Sequence, residues 1–195
     1  MRLPPLILAS QSPQRRKLLK KLRIPFQIFP ARVSEKIAEK NPRRVVEKLA
    51  LRKASWVARR RSSGLILGSD TVVAVAGKIL NKPRNRKDSM RMIGLLNGTW
   101  HRVHTGVALI NAASGKRWTA VRVSRVKARR LKPEALRRLA GKHMDKAGSY
   151  AMQDSKDPFI QKVVGPVDNV IGLPLRDVRE LLKKAAAALK NHRKP

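Results

Sequence analysis

Leu6-Ile-Leu-Ala-Ser-Gln-Ser-Pro-Gln-Arg-Arg-Lys-Leu-Leu19 decides the fold class. Its first four residues form an unbroken apolar run, short enough for a strand and suited to burial on both faces. Ser12 then offers a side-chain oxygen to the free N–H groups of a helix start. Pro13 stands at the first helical position, where a missing N–H is harmless. Leu18, Leu19 and Leu22 recur at helical spacing. A buried strand feeding directly into a capped helix is the opening unit of an α/β fold.

The rest of the chain repeats that grammar. Phe26 to Phe29 reads as a second strand, and Asn41-Pro42 gives another cap-then-proline start. The helix behind it carries Val46, Leu49, Ala50 and Val57 near one face. Leu65 to Leu67 is a buried strand that continues through Gly68-Ser69-Asp70 into the β-rich segment Thr71 to Ala76, with Gly77 turning to Lys78-Ile-Leu80. A loop at Asn81-Lys-Pro83 precedes a helix from about Lys87 to Leu96, closed by Asn97-Gly98. His101, Val103, Thr105, Val107 and Leu109 alternate. After the turn Ala113-Ser-Gly115, the segment Lys116 to Arg129 reads as an antiparallel partner. Pro133 to Leu139 is a short helix and Phe159 to Val164 a strand. Pro174 to about Lys190 is a final helix, leading to a basic tail at about 190–195. No repeat or linker divides the chain. The expectation is one α/β domain over residues 1–195, a mixed sheet with two lobes around a cleft.

At 195 residues and 42% hydrophobic content, the chain suffices for one substantial core. Its longest apolar runs are far too short to cross a bilayer, and no signal peptide is readable. The absence of cysteine excludes disulfides, thiol nucleophiles and thiolate metal sites, and a cytoplasmic location is the default expectation. Forty-six Lys and Arg against twelve Asp and Glu give a formal charge of +34. Such a field attracts polyanions, and non-specific, salt-dependent nucleic-acid binding is physically expected. The basic residues are spread along the chain, however, and aromatics are only 4%. Stacking platforms for single strands are scarce.

Two places offer chemistry. At the first strand-to-helix junction, free N–H groups, the Ser10 and Ser12 hydroxyls and the Arg15 guanidinium together suit an anion. Asp70 stands at the end of an apolar strand in a chain poor in acids, as a ligand of Mg²⁺ would. Glu35 is the best available second carboxylate, and Lys53 and Lys82 could neutralise a polyphosphate. From spacing alone a plain capped helix and an ordinary turn aspartate remain open at these positions. His101 and His104 lie three apart on a strand and make a poor metal pair. Trp56, Trp100 and Trp118 read as core or edge packing, and Asp154 and Asp157 as solvated loop acids.

Six blocks occur in one order: residues 6–16 (Leu-Ile-Leu-Ala-Ser-Gln-Ser-Pro-Gln-Arg-Arg), Gly68-Ser-Asp-Thr-Val-Val73, Lys82-Pro83, Thr105-Gly-Val107, Asp145-Lys-Ala-Gly-Ser-Tyr-Ala-Met-Gln153 and Gly172-Leu-Pro-Leu175. This set closely resembles the Maf family of nucleoside triphosphate pyrophosphatases, from about Leu6 to Leu182. The resemblance implies an elongated α/β fold of the Maf and inosine-triphosphate-pyrophosphatase type, with a mixed, twisted sheet flanked by helices and a deep cleft. It implies cleavage between the α- and β-phosphates, a requirement for Mg²⁺ or Mn²⁺, and a homodimer. Asp70 stands where the family has its catalytic acid, the proton acceptor that activates water, and Glu35 matches the loop glutamate that helps hold the metal. Ser10, Ser12, Arg15, Lys53 and Lys82 match positions facing the triphosphate.

Three positions sort substrates in this family. Arg, Thr and Gln mark the branch acting on dTTP and UTP, and Trp, Gln and Glu the branch acting on 7-methyl-GTP. Here they are Gln14, Thr71 and Gln153, two of three in agreement with the dTTP/UTP branch. An amide at Gln153 can both donate and accept, as the edge of thymine or uracil requires. Gln14 departs by losing a charge, Ser34 stands where an acid is common, and Asn81 replaces a frequent glycine. The alternative is a polyanion or nucleic-acid binding protein on a Maf-like scaffold, with weak or no hydrolysis.

Overall fold

Local capping chemistry starts the first two helices as the sequence predicts. The computed structural model describes residues 4–152 and 158–191. Strand β1 (Leu6–Leu8) runs into helix α1 (Pro13–Lys20), and the Arg15 N–H donates to Ser12 Oγ at 3.4 Å. After β2 (Phe26–Ile28), Asn41 Oδ1 accepts the N–H of Arg43 at 2.9 Å and opens α2 (Pro42–Ala58). The stretch through Gly68-Ser69-Asp70 is one continuous strand, β3 (Leu65–Val75). Ala76 and Gly77, with φ of 47° and 71°, turn it into β4 (Lys78–Leu80). Positive φ at both central residues is what a two-residue hairpin turn matched to strand twist requires.

Asn85 caps α3 (Arg86–Leu96), and β5 (Trp100–Asn111) and β6 (Arg117–Ala128) form a hairpin in which Asn111 Oδ1 accepts the N–H of Ala113. Helix α4 (Pro133–Leu139), strand β7 (Ile160–Val164) and helix α6 (Leu175–Asn191) follow the expected segments. A 3-10 turn at Ala147–Ser149 and helix α5 (Val167–Ile171) are additions. At three and five residues, neither is long enough to show a period.

The seven strands form one mixed sheet in the order β2-β1-β3-β5-β6-β7, with β4 paired to β3. β1 runs parallel to β2 and β3, while β4 is antiparallel to β3 and β7 to β6. By packing, the fold divides into two compact units: Met1–Asp70 with Thr105–Arg122 and Gly172–Pro195, and Thr71–His104 with Val123–Ile171. In the first, Ile7, Ala9, Ile66, Ala108 and Ile110 pack with Ala50, Ala54 and Val57 of α2. The second has its own core of Val73, Met92, Ile93, Leu96, Val103, Val126 and Phe159. Among the described residues no helix is long and apolar enough to cross a membrane.

Candidate active site

The site is built on how closely α2 lies on the sheet. Ile66, Gly68 and Asp70 alternate along β3 and share a face, and Ile66 packs in the cluster with Ala50 and Ala54 of α2. At Gly68 a Cβ would stand 2.3 Å from the Ala50 carbonyl oxygen and 2.9 Å from the Ala54 nitrogen, so only glycine admits this approach. Lys53 lies on the same helical face as Ala50, Ala54 and Val57 and is buried with them. Its ammonium therefore meets the strand two residues beyond Gly68, donating to Asp70 Oδ1 at 2.5 Å.

The same ammonium donates to Glu35 Oε1 at 2.7 Å. Asp70 is buried, whereas the Glu35 side chain is 42% exposed. Glu35 lies in a segment without helix or strand, yet the segment is fixed: Arg52 Nη1 donates to the carbonyls of Ser34 at 2.7 Å and Lys36 at 2.9 Å, on either side of it. Arg52 is a site residue the sequence reading missed, and its only signal was its place beside Lys53.

The helix-start half of the site converges on one carbonyl. Arg15 Nε donates to the Gly172 oxygen at 2.9 Å, and Ser69 Oγ donates to the same oxygen at 3.0 Å. Ser10 Oγ accepts from the Ser12 N–H at 3.2 Å and from Arg15 Nη1 at 3.4 Å. Burial pushes the Arg15 guanidinium pKa down, while the charges of Asp70 and Glu35 draw it back up. A guanidinium starts so high that it stays charged through this contest. The first unit thus gathers Ser10, Ser12, Arg15, Glu35, Lys53 and Asp70. Lys53, expected to face phosphate, is engaged with the two carboxylates.

The other expected positions make none of these contacts with the set. Gln14 is half-buried near the start of α1, Thr71 is half-buried next after Asp70, and Lys82 is exposed in the loop after β4. Thr71 and Lys82 belong to the second unit. Gln153, with Asp154 and Asp157, lies outside the described residues. His101 is a core residue, its Nε2 2.9 Å from Tyr150 Oη, and burial holds its pKa down at about 4. Trp56 and Trp118 are half-buried, but Trp100 is 40% exposed, with the Arg125 guanidinium 4.9 Å from its ring centroid. Among the described residues, no three His, Asp or Glu side chains group to hold a metal.

In chemical terms, the first unit presents two carboxylates held by one ammonium, a guanidinium that feels their charge, and a helix start lined by the Ser10 and Ser12 hydroxyls. That combination suits a cation and a polyanion at once. The comparisons with known proteins agree with the ordered motifs. A family model described as Maf-like protein matches residues 5–185. A dTTP/UTP pyrophosphatase of Elusimicrobium minutum is 42% identical over 92% of this chain and 97% of its own. Proteins of the same name from Pelotomaculum thermopropionicum (42% identical, 92% and 95% covered) and Salinibacter ruber (41%, 95% and 93%) match as fully. From the match across nearly its whole length, this chain belongs to the Maf family.

Proposed function

We propose that this chain hydrolyses dTTP and UTP to the monophosphate and pyrophosphate, with Asp70 accepting the proton of the attacking water. The observation that carries the reading is the buried Lys53 ammonium held between Asp70 and Glu35, with Arg15 close enough for both carboxylates to act on it. Lys53 fixes Oδ1 of Asp70, and we assign the proton to Oδ2. In the step, the water oxygen bonds the α-phosphorus, its proton passes to Asp70, and the bond to the bridging oxygen breaks to release pyrophosphate. The start of α1, Ser10, Ser12 and Arg15 supply donors that hold phosphate oxygens in line. Lys82 is assigned to the phosphates on family resemblance alone. Thr71 and Gln153 support dTTP and UTP as substrates, as do the names of the relatives; Gln14 departs from that branch.

Asp70 and Glu35 also fit a divalent cation, Mg²⁺ or Mn²⁺. Their shared contact with the Lys53 ammonium keeps the two carboxylates near each other, and such hard ions take one or two carboxylates together with substrate phosphate. When bound, the cation supplies positive charge against the phosphate oxygens and favours ionisation of water. We place the enzyme in the cytoplasm as a homodimer, on the absence of cysteine and on the family resemblance.

The test is a panel of nucleoside triphosphates, modified pyrimidines included, incubated with Mg²⁺ and assayed for pyrophosphate and monophosphate. dTTP and UTP are expected to turn over fastest; no turnover of any nucleotide by folded protein overturns the reading. Asp70→Asn should lower turnover by about a thousandfold, within the range for a general base. Its fold should survive, because Glu35 still answers Lys53. The charge of +34 favours a second reading, a polyanion binder. Affinity for random duplex that vanishes near physiological salt would reduce it to counterion attraction.

A further inference from the structure

Strands β5, β6 and β7 contain no Asp or Glu at all. In the second unit they close the core through Val103, Val126 and Val163. Alternation then turns their neighbours outward: Trp100 and Arg102 on β5, Arg125 on β6, Lys162 and Val164 on β7. Arg125 links three of these positions. Arg125 pairs in register with Val164, and its guanidinium lies over the Trp100 ring at 4.9 Å. Trp100 (40%), Val164 (46%) and Val167 (46%) are three of the four large hydrophobic residues most exposed among those described.

An exposed indole set among guanidinium and ammonium groups, with no carboxylate on the strands, has the chemistry of a stacking platform on a cationic track. Bases of a single strand stack on such aromatics while phosphates meet the cations, and sheet faces are a common frame for it. Charge argues against a second copy as occupant, since Arg102, Arg125 and Lys162 would meet like charges. A duplex satisfies the cations but keeps its bases stacked on one another, out of reach of Trp100. We propose that this face binds single-stranded nucleic acid, separately from the hydrolytic site.

The experiment uses the whole chain and a labelled single-stranded RNA of mixed sequence, about 12 nucleotides long, at near-physiological salt. Anisotropy gives affinity, and tryptophan emission reports stacking. Wild type is expected to bind with quenched emission and to prefer the single strand over a duplex of equal length. Trp100→Ala should weaken binding roughly tenfold and remove most of the quench. Arg125→Gln should reduce the salt slope by about one. Neither residue belongs to the proposed hydrolytic site, so turnover of dTTP should hold in both variants. Should Trp100→Ala fail to fold, Arg102→Gln, Arg125→Gln and the wild-type quench decide the matter. Three results overturn the proposal: affinity unchanged in these variants, equal binding of the duplex, or a dimer that dissociates when the face is mutated.

Discussion

Gly68→Ala tests whether helix packing sets the chemistry. The added Cβ would stand 2.3 Å from the Ala50 carbonyl oxygen, 2.9 Å from the Ala54 nitrogen and 3.0 Å from the Ala54 Cβ. A carbon and a carbonyl oxygen rest at about 3.3 Å or more, so α2 must retreat by about 1 Å. The obstructing atoms are the helix's own backbone and a Cβ, so no flexible side chain can swing away. Overpacking of this kind costs about 1–3 kcal/mol, and a rigid obstacle places the change near the upper end. Lys53 lies between Ala50 and Ala54 and moves with them, withdrawing its ammonium from Asp70. Misplacement by about 1 Å is worth roughly a hundredfold in rate. Urea unfolding and kcat/KM for dTTP, measured on the same preparation, should therefore fall together. As a control, Gly94→Ala in α3, where an added Cβ meets nothing within 4 Å, should stabilise by about 0.5–1 kcal/mol without touching turnover. An unchanged unfolding midpoint in Gly68→Ala, with kcat/KM within a few-fold of wild type, would refute the reasoning.

Lys53→Met leaves Asp70 and Glu35 facing each other without their shared ammonium. It should cost about 3 kcal/mol in chelator, and Mg²⁺ should raise its melting temperature more than that of wild type; equal Mg²⁺ shifts would contradict the placement of the cation. Arg52→Ala releases the carbonyls on either side of Glu35. It should weaken Mg²⁺ activation by about tenfold, as loss of a group supporting a metal ligand does, with little change in kcat at saturating Mg²⁺. His101 gives a pH signature. Its pKa is held at about 4 in the fold against 6.5 for an unperturbed histidine, so the unfolded chain takes the proton first. Stability should therefore fall as pH drops from 6.5 to about 4, by about 3 kcal/mol from this group, and no further below that. His101→Gln should flatten that part of the stability profile, and an unaltered slope would remove His101 as its source.

Much of this fold is legible because its signals are local. Ser12-Pro13 and Asn41-Pro42 announce helices through chemistry confined to one turn, and the caps form as expected. The hairpin is announced by Gly77 alone; Ala76, read with the strand before it, joins the turn at a φ of 47°. The helix-start half of the site could be read for the same reason, with Ser10, Ser12 and Arg15 within six residues of each other. The carboxylate half could be named but not assembled. Lys53 and Asp70 meet only because Gly68 lets a helix onto a strand, and no spacing records a contact between elements. A signal did exist: a glycine inside a buried strand marks close approach of another backbone, and small Ala50 and Ala54 are what such an approach needs. The Gly172 carbonyl, by contrast, is a backbone oxygen that accepts from both Arg15 and Ser69, and no side-chain pattern announces it.

The charge of the chain sharpens what Asp70 is for. Among forty-six cations, an acid at the surface finds a partner wherever it stands: Glu39 with Lys48, Glu134 with Arg137, Glu180 with Lys183. Exposed pairs of this kind contribute about 0–1 kcal/mol and restrict little. Asp70 and Lys53 are different, since both are buried and neither can be satisfied by water alone. Burying two charges costs several kcal/mol per ion, and a well-packed apolar pair is often as stable or more so. Stability therefore gives no reason to place a carboxylate there. An orientation does, because the ammonium fixes one oxygen of Asp70 and Glu35 completes its second contact, as the proposed role of Asp70 requires. The same ammonium holds the two carboxylates together in the absence of a divalent ion, in a chain whose overall charge otherwise repels cations. Loss of Lys53 should therefore do more than lower stability: it should transfer the task of holding Asp70 and Glu35 together to the metal.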